Sequence, residues 1–343
     1  MTETLSSRLR IAWAILGGRK SVSPKITIII LYCISHTTYA KEYTEILIDA
    51  KTGNIIHQYN ALVYNYPASL TKLMTLYLTF ESLNKNKLSL DQKLIVSRRA
   101  AKQPRSNIRL KENDIITVRE AILAIIIHSA NDAAVVLSEA NAGSEWFFTE
   151  LMNKKAKKLG MYNTYFRNAS GLHHDDQFTN ARDMAILALK IKERFPQYFD
   201  LFNKTAFRYK KDLYTTHNHL VVKFKAVNGM KTGYTRKSGF NLISSAQYNG
   251  NEIIGVIMGA KSRHIRDKNM IHLFKKKLYN DSFIKKNNNR KIVKATIGNF
   301  FAYPMPQKKP HHNNFELKIL DTKKNLFYIK GDIIIPLPTQ KPI

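Results

Sequence analysis

Ser69 and Lys72 lie three residues apart in "YPASLTKLMT". On a helix that spacing puts both side chains on one face, a turn apart. A serine near a helix N-terminus sits where free N–H groups and the macrodipole favour developing negative charge. A lysine one turn on, if buried near another cation, loses its proton near neutral pH and becomes the base that activates the serine. Taken alone, the pair more often marks a solvated helix face.

A second group, Ser129-Ala130-Asn131, interrupts an apolar helical run. Burying such polar side chains unsatisfied costs ~1–3 kcal/mol each, and capping of the following helix is the ordinary way to satisfy them. A third group, Lys231-Thr232-Gly233, opens a strand-like stretch after Asn228-Gly229. On an edge strand it offers an ammonium, a hydroxyl and backbone N–H groups beside the gap a glycine leaves. Those donors suit the terminal carboxylate of a peptide.

Lys-Thr-Gly also occurs at 51–53, in "DAKTGNI". There it occupies the reversal of a hairpin, where Lys and Gly are turn residues. His128 next to Ser129 suggests a Ser–His hydrolase pair, but adjacent helical residues do not face each other and the chain has no G-x-S-x-G elbow. "HHDD" (173–176) has no partner histidine at ligand spacing and no H-E-x-x-H accompanies it, so it reads as a loop, as does His311-His312. No metal or organic cofactor is expected, and no glycine-rich phosphate loop is present.

The elements that must carry these residues follow from the pattern. Residues 45–61 read as a β-hairpin. Pro67 precedes a helix over 66–83, with an apolar stripe through Leu70, Leu73, Met74 and Leu78. Residues 117–141 are helical, interrupted at Ser129–Asp132, and 145–160 and 180–193 read as amphipathic helices. Residues 239–261 form two strands joined by an Asn249-Gly250 turn, and "HLFKKKLYN" a final helix. Strands at both ends of the sequence pairing into one antiparallel sheet, with a helical block between, give an α+β domain over 41–280. "KKNNNRK" (285–291) suits a linker, and 281–343 then form a small, basic, β-like C-terminal region.

The chain has 343 residues and a formal net charge of +30. Such a balance points to anionic polymers, membranes or nucleic acid; a genome biased toward Lys, Asn and Ile is the plainer explanation, because the lysines are scattered. Residues 1–40 combine a basic flank (Arg19, Lys20, Lys25), an apolar run from Ile26 to Ile34, and Thr38-Tyr39-Ala40. That is the layout of a secretory signal cleaved after Ala40. Its long basic leader leaves an uncleaved N-terminal membrane anchor as the alternative. The one cysteine, Cys33, lies within it. Export argues against nucleic acid as the partner.

In the order Ser-x-x-Lys, Ser-x-Asn, Lys-Thr-Gly, the three groups reproduce the motif set of penicillin-binding proteins and class A β-lactamases. "HSANDAAVVLSE", "GSEWFFTELMNKKAKKLGMYNT", "FTNARDMAILA" and "NGMKTGYTRKSGFNLISSA" extend the likeness. From about Tyr43 to Lys276 the chain resembles the low-molecular-mass serine D-alanyl-D-alanine carboxypeptidases. The resemblance implies a β-lactamase/transpeptidase-like fold, peptidoglycan stem peptides as substrate and β-lactams as covalent inhibitors.

It further implies that Ser69 is acylated, Lys72 is the base, Ser129 relays protons with it and Asn131 holds the substrate amide. Lys231 and Thr232 would bind the terminal carboxylate. The N–H groups of Ser69 and Tyr234, beside Gly233, would form the oxyanion hole. A D,D-endopeptidase would use the same motifs, while an inactive wall-binding module would use the charge alone. No Glu stands where the deacylating Glu of class A β-lactamases would. Two departures stand out: no Arg precedes the Lys-Thr-Gly strand, where "THNHLVVKF" carries His219, and the tail ends in "IIIPLPTQKPI", whose prolines exclude an amphipathic helix.

Overall fold

The computed structural model describes residues 42–278 and the backbone of the strands Ile319–Thr322, Asn325–Lys330 and Ile333–Pro336. The signal-like segment with Cys33, the basic linker at 285–291, His311-His312 and the last prolines lie outside the described residues.

Alternating apolar residues build the sheet. Strands β1 (Thr44–Asp49) and β2 (Ile55–Tyr59) come from the start of the domain. Strands β7 (Val227–Thr235), β8 (Gly239–Tyr248) and β9 (Asn251–Ala260) come from its end. They pair antiparallel in the order β2-β1-β9-β8-β7, so β1 joins β9 across the whole intervening sequence and β7 is left at an edge. The period of two decides which core each residue enters. Ile46, Ile48, Ile243, Ile254 and Val256 face the helical block, whereas Leu47, Leu242, Ile253 and Ile257 face Met270, Leu273 and Phe274 of the final helix, Arg263–Leu278.

The helical block sits between these two groups of strands. Its centre is α1 (Lys72–Asn84), preceded by a 3₁₀ turn at Ala68–Thr71. The expected stripe, Leu70, Leu73, Met74 and Leu78, is buried, and so are Leu76, Tyr77 and Phe80 outside it, with Thr75 and Thr79 between them. A helix enclosed on every side needs no polar face. Thr75 and Thr79 instead donate to the carbonyls of Ala169 and Thr75.

Around α1 pack α2 (Val118–Leu123), α3 (Asn131–Ala142), α4 (Glu145–Leu159) and α5 (Ala181–Arg194). Thr117 and Glu120 form a capping box at α2, and Ser144 and Asn180 cap α4 and α5. Two small two-stranded sheets, β3–β4 (Lys93–Ile95, Ile115–Thr117) and the hairpin β5–β6 (Ala206–Tyr209, Asp212–Thr215), were not foreseen from the sequence. Residues 302–343 form a separate compact unit, whose three strands pair antiparallel in sequence order. "NLFYIK" is its central strand. Among the described residues no helix is long and apolar enough to cross a membrane.

Candidate active site

The 3₁₀ turn before α1 presents Ser69 and hands the chain to Lys72, the first α-helical residue. Ala68 is held in the left-handed region at φ 48°, a conformation that a non-glycine residue keeps only when its surroundings enforce it. Part of that enforcement is Gly171. A Cβ there would stand 1.8 Å from the Ala68 carbonyl oxygen, and its φ is +81°. Only glycine lets the 169–171 segment close against the nucleophile turn.

Lys72 is fully buried, and its Nζ lies 3.1 Å from Ser69 Oγ and 2.7 Å from Asn131 Oδ1. It also donates to the carbonyl of Ser170. A neutral amine has two N–H bonds and one lone pair. Once the amine is neutral, Asn131 and Ser170 can take its two hydrogens and leave the lone pair for the Ser69 hydroxyl. Burial, then the Lys231 charge, holds the Lys72 amine well below its ordinary pKa, while Asp132 opposes the shift. Desolvation without a directly paired carboxylate favours the uncharged base.

Asn131 reaches this amine because the α2 helix ends in a π-turn, Ala124–His128, and the chain then reverses through Ser129 at φ 61°. Capping, the ordinary explanation for these polar residues, does not hold at α3. Ala130 is the N-cap, and Asn131 uses its side chain to bridge Lys72 and the Pro104 carbonyl. Asp132 accepts from the N–H groups of Ile108 and Leu110, which clamps the 104–110 loop beside the site. Ser129 is buried.

On the other side runs β7. Gly233 passes the nucleophile turn so closely that a Cβ would meet Pro67 O at 3.1 Å and the amide nitrogens of Ser69 and Leu70 at 3.2 Å. This close approach aligns the Ser69 and Tyr234 backbone with one cleft. Asn241, in neighbouring β8, ties the strands to the turn by donating to the carbonyls of Tyr66 and Pro67. Lys231 is buried, and among the described residues it has no carboxylate partner; its Nζ donates to Thr232 O at 3.0 Å. Burial and the Arg266 guanidinium bring its pKa down to about 7. A buried ammonium with no carboxylate of its own is suited to receive an anionic group. Thr232 lies next to it, mostly buried, and Tyr234 stands exposed.

No arginine precedes β7, but the guanidinium of Arg266, from the final helix, lies near enough to Lys231 to lower its pKa. Arg266 is buried, anchored by Asp267 at 2.6 Å and turned toward Asn241 O. His219 instead meets Arg263 at 3.3 Å, on the outer side of this region. Sequence reasoning missed Arg266, Ser170, Gly171 and Asn241. Only Gly171, in "NASGL", left a usable signal, as a glycine next to polar turn residues.

Lys51-Thr52-Gly53 is a turn in which Asp49 accepts from the N–H groups of Lys51 and Thr52, and Lys51 reaches the Gly250 carbonyl at 2.8 Å. In "HHDD" His173 pairs with Asp175, and Asp175 with Lys237. Among the described residues no group of three or more His, Cys, Asp or Glu is placed to hold a metal.

A serine beside a buried amine, a polar turn and an edge strand with an anion site defines a penicillin-binding serine peptidase fold, and the comparisons agree. The D-alanyl-D-alanine carboxypeptidase family, peptidase S11, matches residues 35–262, and the chain belongs to it. It is 36% identical to D-alanyl-D-alanine carboxypeptidase DacF of Bacillus subtilis over 63% of the chain and 57% of that protein. It is 34% identical to DacC of Escherichia coli over 69% and 63%. The chain thus spans about three-fifths of the length of these relatives. Penicillin-binding protein 5 of Haemophilus influenzae superimposes with a TM-score of 0.66 at 30% identity, covering 74% of this chain and 72% of that one. Penicillin-binding protein D2 of Listeria monocytogenes, solved with cefotaxime bound, gives 0.62 at 29%, over 70% and 98%.

Proposed function

We propose that the protein is an exported serine D-alanyl-D-alanine carboxypeptidase that removes the terminal D-alanine from peptidoglycan pentapeptide stems. One observation carries the reading: the fully buried Lys72 amine lies 3.1 Å from Ser69 Oγ, with Asn131 Oδ1 and the Ser170 carbonyl as its other two neighbours. Lys72 takes the Ser69 proton as Oγ attacks the carbonyl carbon of the penultimate D-alanine. The N–H groups of Ser69 and Tyr234 hold the oxyanion, a contribution worth ~3–4 kcal/mol per donor in other hydrolases. The proton then passes from Lys72, through Ser129, to the departing amine as the C–N bond breaks. Water releases the acyl-enzyme. Asn131 holds the substrate amide, and Lys231, Thr232 and Arg266 hold its carboxylate.

A β-lactam opens on the same serine, but its amine stays tethered, so the acyl-enzyme lasts. Fluorescent penicillin should label the full chain, and Ser69→Ala should abolish the label. Labelling that survives the substitution rules out this nucleophile. A D,D-endopeptidase is the second reading, favoured by 30% identity to the D-alanyl-D-alanine endopeptidase of Pseudomonas aeruginosa over 72% of that protein. The carboxypeptidase relatives are as similar or more so, at 31–36%. Residues 1–40 supply the export signal or an N-terminal membrane anchor. The basic residues of the last unit add attraction to anionic wall polymer.

A further inference from the structure

Two imidazoles that the proposed mechanism does not use lie near enough to Lys231 to feel its charge. His128 ends the π-turn immediately before Ser129. His217 follows β6, and its backbone N–H donates to the Ile127 carbonyl at 3.3 Å, which pins it against that turn. The two rings stand 5.0 Å apart between centroids, and His128 also meets the Tyr214 ring edge-on at 4.8 Å. His217 is exposed at the cleft rim and His128 half-buried, so solvent and substrate can reach them. The charged and titratable groups facing this pair come from several elements: Lys231 on β7, Arg263 on the final helix, Arg109 on the clamped loop, Tyr214 on β6, and His219.

We infer that His217, backed by His128, is a proton-coupled specificity residue, taking up a proton when the substrate's terminal carboxylate docks beside Lys231. The inference rests on the carboxypeptidase reading above. In the free enzyme, partial desolvation and then the charges of Lys231, His128 and Arg263 hold His217 below its ordinary value, so it is neutral at pH 7. A carboxylate against Lys231 offsets that charge and raises the proton affinity of the nearest imidazole. Two touching imidazoles accept one proton far more readily than two, so the uptake is a single proton. Linkage then requires the carboxylate to bind more tightly as pH falls from neutral toward 5. The C-terminal amide of the same peptide brings no charge and gains nothing.

Calorimetry on the full chain carrying Ser69→Ala, which blocks acyl transfer, reads this directly. The probe is an N-acetylated tripeptide ending in D-Ala-D-Ala, compared with its C-terminal amide at pH 7 and pH 5. Completing the protonation of Lys231 accounts for about twofold over that interval, and the histidine raises the total to about tenfold. Adding His217→Gln should leave only about twofold. His217→Arg, which keeps its charge at both pH values, should bind at pH 7 at least as tightly as the parent and show the same shallow slope. Circular dichroism at both pH values confirms that each variant is folded. A tenfold gain that persists in His217→Gln, or a parent slope of twofold, overturns the inference. Penicillin labelling of the chain with Ser69 intact separates the two levels. Loss of labelling removes the carboxypeptidase reading and this inference together, while labelling with equal slopes removes this inference alone.

Discussion

Lys72 Nζ lies 3.1 Å from Ser69 Oγ at the bottom of a cleft whose other cation, Lys231, has a pKa near 7 and also presses on Lys72. In the proposed mechanism one buried amine has to be neutral to act, and the other has to be charged to bind. The two requirements set opposite pH limits on the same reaction.

The pH profile follows from those signs. Lys72 is active once deprotonated, so acylation rises with pH through its lowered value. Lys231 binds the carboxylate while protonated, so kcat/KM for a carboxylate substrate declines above about 7. A substrate whose terminal carboxylate is replaced by an amide should lose that alkaline decline while keeping the acid limb. Initial rates from pH 5 to 10 on both substrates check it.

Lys231 should also trade stability for function. Its folded pKa lies below the unfolded value of 10.5, so its burial destabilises the fold most when it is charged in both states, below about 7. That penalty is relieved as pH rises from about 7 toward 10.5. Lys231→Met, which keeps the volume and removes the charge, should raise stability by ~1–2 kcal/mol at pH 6 in thermal unfolding. The same variant should lose D-alanine release by ~100-fold or more. Lys51→Ala, at the exposed turn copy of the motif, should change either quantity by less than ~0.5 kcal/mol.

Gly171→Ala should damage the nucleophile turn from outside the three motifs. The new methyl group collides with the Ala68 carbonyl and forces an unfavourable left-handed alanine. A stability loss of ~2 kcal/mol or more is expected, with penicillin labelling slowed in whatever folds. Denaturant unfolding together with labelling rates tests both parts.

Glu145 ties α4 to the strand of chain that feeds Lys72. Its carboxylate accepts from the Ala169 N–H at 2.9 Å and pairs with Arg99, and the next residue, Ser170, takes a hydrogen from Lys72. Glu145→Ala leaves the Ala169 N–H buried without its acceptor. It should lower stability by ~1–3 kcal/mol and reduce kcat more than it raises KM, as measured by steady-state kinetics beside thermal unfolding.

Much of this was legible in the sequence because it is local or periodic. Ser69 and Lys72 share a turn, Asn249-Gly250 makes the β8–β9 hairpin, and the strands at the two ends of the domain do form one sheet with β7 at its edge. What stayed hidden arises from distance along the chain. Ser170 meets Lys72 across 98 positions and Asn241 meets Tyr66 across 175, and no spacing rule reaches that far. Arg266 was sought upstream of β7 but arrives from the helix downstream. Asn131 suggested a cap because capping is what asparagine does at most helix starts; here a buried amine needed its oxygen more. The stripe expected on α1 is buried, but it did not show that the other faces are buried as well, since a helix wrapped on all sides hides its own period.

The central claim is that Ser69, activated by Lys72, removes one D-alanine from an uncross-linked stem. Its most direct test is to quantify free D-alanine released from a defined pentapeptide by the full chain and by Ser69→Ala. The account predicts one equivalent of D-alanine per pentapeptide from the parent, with no third product, and none above background from the variant. D-Alanine release that survives Ser69→Ala would contradict it, as would a parent that leaves pentapeptide intact while cutting cross-linked dimers.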